Sequence, residues 1–199
     1  MVQMENYRKL KQSAKIGYGF WFQWCFLTIV AFLLSLFLIE IGERNELSTM
    51  EGVMGGAIIG IAQFLVLRQR ISHAWLWALS SIITWGLMTG SGLGAIGWVV
   101  PRTDILAIRL VYGALFGSIC GVVLGMGQWL VLRNQVLSSG RWILISPLCW
   151  GIGLSLGWTM GGVLRSFTRL FLGDVIGLIL TWVLVSVMTG AFLDKILKN

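Results

Sequence analysis

Gly60-Ile61-Ala62-Gln63-Phe64-Leu65-Val66-Leu67-Arg68 recurs as Gly125-Met126-Gly127-Gln128-Trp129-Leu130-Val131-Leu132-Arg133, a shift of 65 residues. At the same shift Ser81 becomes Ser146, Trp85-Gly86 becomes Trp150-Gly151, and Arg44 becomes Arg109. Hydrophobic bias alone does not place a glutamine and an arginine at matched points of two nonapeptides. The chain therefore reads as an internal tandem repeat, with one unit over about 44–100 and the other over about 109–164. Each nonapeptide is apolar up to its arginine, so each closes an apolar run at a basic boundary.

The rest of the chain has the same character. Of its 199 residues 57% are hydrophobic and 12% charged, and its mean hydropathy is +0.85. Soluble domains hold about 45–50% apolar residues, so a soluble enzyme of ordinary composition, a disordered chain and a disulfide scaffold are all excluded. Cys25, Cys120 and Cys149 lie inside apolar runs and carry no redox signal.

A helix crosses a bilayer core with roughly 20 apolar residues. Uncharged runs at 16–39, 52–67, 74–100, 110–132, 142–164 and 175–193 approach or exceed that length. Residues 47–50 extend the second run if Glu51 sits at headgroup depth, and the glycine-rich end of the third (Gly90 to Gly97) offers a way out of the helix before Pro101. The expectation is an all-α polytopic membrane bundle of about six transmembrane helices. It comprises a basic N-terminus over 1–15, one transmembrane domain over 16–193, and a C-terminus over 194–199. The first run follows Lys9, Lys11 and Lys15, but it is too long for a signal-peptide core and reads as an uncleaved helix.

Charge sets the expected orientation. With both termini cytoplasmic, the inner side holds Arg8, Lys9, Lys11, Lys15, Arg68, Arg70, Arg133, Arg141, Lys195 and Lys198, against Arg44, Arg102, Arg109, Arg165 and Arg169 outside. That asymmetry satisfies the positive-inside rule and accounts for most of the net charge of +7, which is not read as a nucleic-acid surface. Two helices per unit make the repeats parallel, related by an axis along the membrane normal. A third, degenerate unit split across the chain ends would complete a pseudo-threefold arrangement. Met188 and Lys195 repeat the spacing of Met126 and Arg133, and Lys15 to Trp24 repeats that of Arg141 to Trp150.

The repeat, carried by Gly125, Gln128, Trp129, Leu130, Leu132 and Arg133 and followed by a Trp-Gly-containing helix, resembles uncharacterised multi-pass membrane proteins of bacteria, chiefly cyanobacteria. The resemblance covers about residues 52–164, and Phe64 replaces the tryptophan in the first copy. It implies a bacterial cytoplasmic membrane, or a thylakoid membrane in a cyanobacterium, and no particular mechanism.

Glycines recur every four residues at Gly52/Gly56/Gly60, Gly86/Gly90/Gly94, Gly113/Gly117/Gly121/Gly125 and Gly153/Gly157/Gly161. Such strips let neighbouring backbones approach, so helices two to five are expected to form the tight centre, with the alternative of a groove for a flat apolar ligand. Gln63 and Gln128 lie five residues before their arginines, and Gln23 reaches a similar depth from the first helix. These amides are expected to form a polar intramembrane layer, either as a reciprocal hydrogen bond or as a polar constriction. Trp21, Trp75, Trp77, Trp129 and Trp142 are placed as interfacial anchors, while Trp85, Trp150 and Trp182 are deeper candidates for contact with a lipid, carotenoid, quinone or chlorophyll. Arg102, Arg109, Arg165 and Arg169 share the outer side with Asp104 and Asp174, where local ion pairs are expected. Arg44 and Arg109, which open matched helices, are alternatively candidates for an anionic lipid head group on that side.

Catalytic patterns are missing. His73 is the single histidine, no HExxH, CxxC or phosphate-loop sequence occurs, and the runs contain no carboxylate for a coupled relay. The reading is therefore a non-catalytic accessory or scaffold subunit with membrane lipids and other membrane proteins, or itself, as partners, and no nucleic acid. The alternative is a small solute transporter or channel with a glutamine-lined constriction.

Overall fold

Ser48 and Glu51 start the first of the two matched helices. The Ser48 Oγ accepts from the Glu51 backbone N–H at 3.3 Å, and the Glu51 carboxylate accepts from the Ser48 N–H at 2.8 Å. This reciprocal cap satisfies two of the backbone donors that a helix start leaves open. It also explains how a glutamate is accommodated at the edge of an apolar run.

The computed structural model describes residues 2–41 and 47–198, with side chains from residue 19 onward. Arg44 lies outside the described residues. Within them the chain is all-helical: α1 Val2–Ser35, α2 Thr49–Leu67, α3 Trp75–Gly90, α4 Leu106–Leu132, α5 Trp142–Thr168 and α6 Leu172–Leu197, with short 3-10 turns at Ile96–Trp98 and Ser139–Arg141. Thr49–Leu67, Leu106–Leu132, Ser139–Thr168 and Leu172–Leu197 are long and apolar enough to cross a membrane. The apolar part of α1, Gly19–Ser35, and α3 are shorter.

One expected span is corrected: the first helix ends at Ser35, before the predicted boundary at residue 39, and begins within the basic N-terminal segment. The third stops at Gly90, leaving the helix at the glycine-rich end of its apolar run as the sequence allows. Gly92 and Gly94 hold φ of 82° and 81°, a left-handed region open to glycine, and there the chain reverses. Residues 95–100 then run back into the bundle and are all buried.

Each helix packs on its neighbours in the chain and α1 packs on α6, so the six close a ring. The glycine strips act at the seams. A Cβ on Gly117 would meet Trp150 and lie 2.9 Å from the Gly151 Cα, and one on Gly121 would lie 2.7 Å from the Ser146 carbonyl. Gly113 meets the Leu154 and Ser155 backbone, and Gly125 meets the Ser146 side chain. The α2 strip does the same against α3, with Gly56 on the Ser81 carbonyl and Gly60 on Ala78. The tight packing does not stop at α5, as the sequence reading had it. Gly157 and Gly161 of α5 meet Gly177 and Asp174 of α6, so α6 belongs to the packed set. Gly94 falls outside α3 and is no part of its strip.

Candidate functional site

The ring encloses an axial core made of aromatic layers with polar groups between them. Toward the end that carries the chain termini lie Trp24, Trp77 and Trp142, with ring centroids 5.8 and 5.9 Å apart in sequence along the layer. Toward the opposite, distal end lie Phe32, Trp85, Trp98, Trp150 and Trp182, whose neighbouring centroids are 4.9–6.5 Å apart. A chamber of about 20 Å³ separates the layers, faced by Gln63, Gln128, Thr189, Thr28, Ser81 and Ser146. It has room for about one water molecule.

The expected glutamine pair is corrected by its partners. Among the described residues Gln63 and Gln128 do not bond each other. Trp77 Nε1 donates to Gln63 Oε1 at 2.9 Å, and Trp142 Nε1 donates to Gln128 Oε1 at 2.9 Å. Both bonds join residues fourteen apart, and they are related by the 65-residue shift. Gln63 also donates from Nε2 to Thr28 Oγ1 at 3.5 Å. On the third side of the chamber Trp24 Nε1 donates to Thr189 Oγ1 at 3.1 Å. Thr189 thus stands where the other two sides have glutamine. Gln23 does not join the layer: it is exposed, in a cleft with Gln69 and Arg70.

The register expected for the split third unit is also corrected. Trp24 lies beside Trp77 and at the level of Trp142, not at that of Trp150. Thr189, one residue from the position that Met188 spacing implies, faces Trp24. Distance from a basic residue is a poor ruler, because long Lys and Arg side chains reach the interface from different depths.

Trp77 and Trp142 are 0% and 1% exposed, so they are core residues and not interfacial anchors. Trp75, at 54%, remains at the surface. The proposed ligand-stacking residues Trp85, Trp150 and Trp182 pack on one another instead, edge to face with centroids 5.7 and 5.1 Å apart for the two closer pairs. Trp182 Nε1 donates to the Gly97 carbonyl at 2.9 Å. The gap between these rings is too small for a carotenoid or chlorin. Trp98 completes the layer and donates to Ser35 Oγ at 2.7 Å. The sequence reading missed Trp98 because it stands on a non-helical segment, where no periodic signal marks a buried residue.

At the distal end Arg109 is fully buried, which corrects its assignment to a lipid head group. Its Nη1 donates to Asp174 Oδ1 at 2.5 Å and to the Trp158 carbonyl at 3.2 Å, and its Nε donates to the Thr103 carbonyl at 2.6 Å. Asp174 is also buried, and its other oxygen accepts from Arg165 at 2.9 Å. Gly162 makes room for the arginine, since a Cβ there would lie 2.7 Å from Arg109 Cδ. The Arg109–Asp174 pair ties α4 to α6 across the end of α5, and through Thr103 it also holds residues 95–105 in place. The pairing of Asp174 with these arginines is the local ion pairing expected of the outer charges, whereas its burial is not; the neighbouring glycines at 161, 162 and 173 are the available signal that backbone closes over it.

No family model, curated protein or solved structure matches the chain.

The Gln–Trp bonds give a testable result. Gln63→Leu leaves the buried Trp77 N–H without its acceptor and should cost about 1–3 kcal/mol. Adding Trp77→Phe should recover part of that loss, whereas adding Gln128→Leu, whose partner is Trp142, should recover none of it. Thermal unfolding in detergent reads the coupling, and strong coupling between the two glutamines would contradict these assignments.

Proposed function

We propose that this chain is a non-catalytic integral membrane protein, an accessory or scaffold subunit that acts through its outer surface. One observation carries the reading: the axis of the ring is filled by the protein's own tryptophans, and Gln63, Gln128 and Thr189 each accept from a tryptophan N–H. A conduit needs a continuous wet path, and aromatic layers stand on both sides of the Gln63–Gln128 level at the axis. The outward face of α4, with Leu115, Ile119, Val122 and Met126 exposed, suits lipid or another membrane helix. A small transporter is the second reading, favoured by the fact that Gln63 and Gln128 face one shared chamber.

In the same reading the bundle derives from a repeated two-helix unit, with α6 and α1 as its split third copy. Three matched tryptophan donors around one chamber support it. Both termini face the cytoplasm, on the charge asymmetry of the loops. Asp104 and Leu137 are exposed at opposite ends, so Asp104→Cys should label from outside intact cells and Leu137→Cys should not. The native cysteines are buried and should stay silent. The reverse pattern would invert the topology.

The scaffold role is tested by purifying the tagged chain from its native membrane in mild detergent. A complex of fixed stoichiometry, with a second membrane protein or a second copy, is expected. A monodisperse single chain without any stoichiometric partner would contradict the role.

A further inference from the structure

One pattern recurs on α1, α3 and α5. Trp24, Thr28 and Phe32 stand four residues apart on α1, as do Trp77, Ser81 and Trp85 on α3 and Trp142, Ser146 and Trp150 on α5. Steps of four keep side chains on one face of a helix. The first member of each set belongs to the aromatic layer nearer the termini, and the last to the distal layer. The middle members therefore bring three hydroxyls between the layers, and all three line the chamber of about 20 Å³.

Their bonding says what the chamber takes. A hydroxyl inside a helix commonly returns its proton to a carbonyl three or four residues back. Thr84 does so to Ser80 at 2.7 Å and Thr189 to Val185 at 2.6 Å. Thr28, Ser81 and Ser146, each 1% exposed, donate no hydrogen bond among the described residues, and Thr28 accepts one from Gln63. Gln128 lines the same chamber: its Oε1 accepts from Trp142, and its Nε2 has no partner among the described residues. Buried donors without acceptors are costly, and here four of them share one water-sized space. No charged side chain among the described residues lines that space, so an ion there would stay unneutralised. A water accepts and donates at once, which matches hydroxyls that do both and an amide nitrogen that donates.

We propose that the chamber is a binding site for one ordered water, held by the hydroxyls of Thr28, Ser81 and Ser146 and by Gln128 Nε2. The proposal rests on the reading of the axis as sealed. The three tryptophan bonds each stay within one pair of helices, α2 with α3, α4 with α5, and α6 with α1. The water bonds to all three pairs, so it joins them at the axis.

The test counts long-lived water in the full chain in detergent. Oxygen-17 relaxation dispersion of the solvent reads water held longer than the particle tumbles, and proton exchange with hydroxyls does not enter it. Thr28→Val/Ser81→Ala/Ser146→Ala removes the three hydroxyls and is expected to hold one long-lived water fewer than the native chain. Thr159→Val is the control: its hydroxyl already donates to the Ser155 carbonyl at 2.7 Å, so the native count should persist. In the native chain the Gln128 side-chain N–H protons should show direct cross-relaxation with water, a reading that stands even if the triple variant does not fold. A native Gln128 amide silent to water, or an equal count in a folded triple variant, would overturn the proposal. A saturable shift of that amide with sodium chloride would assign the chamber to an ion and overturn it too. Absence of the water without solute flux through vesicles overturns the water site alone. Absence with flux overturns the sealed axis as well.

Discussion

Replacing Asp174 with alanine is expected to destabilise the protein by about 3–5 kcal/mol, the usual cost of leaving one member of a buried ion pair alone. Asp174 is 1% exposed and accepts from both Arg109 and Arg165, and Arg109 is 0% exposed. Without the carboxylate, the buried guanidinium keeps only the Thr103 and Trp158 carbonyls. Its Nη2 has no hydrogen-bond partner even with Asp174 in place. The loss should therefore spread to residues 95–105, which Arg109 holds through Thr103. The double change Arg109→Leu/Asp174→Leu removes both charges and should cost much less than the sum of the single changes. Asp194→Ala is the control. Its partner Lys198 is 39% exposed, and breaking a pair at the surface should cost under about 1 kcal/mol. Thermal unfolding in detergent separates these cases, and equal effects of Asp174→Ala and Asp194→Ala would refute the buried pair.

Leucine at Gly117 or Gly121 should destabilise by at least the upper part of the usual 1–3 kcal/mol range for overpacking. The reason is what the new side chain meets. At Gly121 even a Cβ would lie 2.7 Å from both the Pro147 nitrogen and the Ser146 carbonyl. At Gly117 it would meet the Trp150 carbonyl and lie 2.8 Å from the carbonyl carbon. These are backbone atoms of α5, which cannot swing aside as a side chain does, so the helices must separate. Separation also loosens α6, because the opposite face of α5 packs on it through Gly157 and Gly161. Gly19→Leu provides the comparison, since a Cβ there meets nothing within 4 Å. Melting curves that treat Gly19 and Gly121 alike would show that the strip is not an interface.

These two predictions differ in how far the sequence foretold them. The glycine strip was legible because four-residue spacing puts a smooth face on one side of a helix. Such a face suits close helix approach or a groove for a flat ligand, and the structure fills it with neighbouring backbone. The matched glutamines were legible as inward-facing because an amide within an apolar run needs a polar partner or water. Their partners were not legible. Trp77 and Trp142 lie beside the basic boundary in the sequence, where an indole most often anchors at the interface, and only the closing of the ring turns them inward.

Arg109 and Asp174 were hidden by a related difficulty. Both stand at helix starts, where charge is ordinarily solvated, and their burial depends on residues 95–105 folding back over them. The glycine-rich run marks where the third helix ends, but not that the chain, after reversing at Gly92 and Gly94, runs back into the bundle. Periodicity speaks for helices. It is silent about the segment that closes the distal end of this bundle, and so about Trp98 and Thr103.

Solute flux through reconstituted vesicles tests most directly whether the bundle is sealed at its axis. Purified protein in proteoliposomes is expected to pass ions and small polar solutes no faster than protein-free vesicles, and Gln63→Leu/Gln128→Leu is expected to leave that rate unchanged. Saturable flux through the native chain, abolished by the double substitution at matched protein content, would contradict a closed core and establish the glutamine level as a constriction.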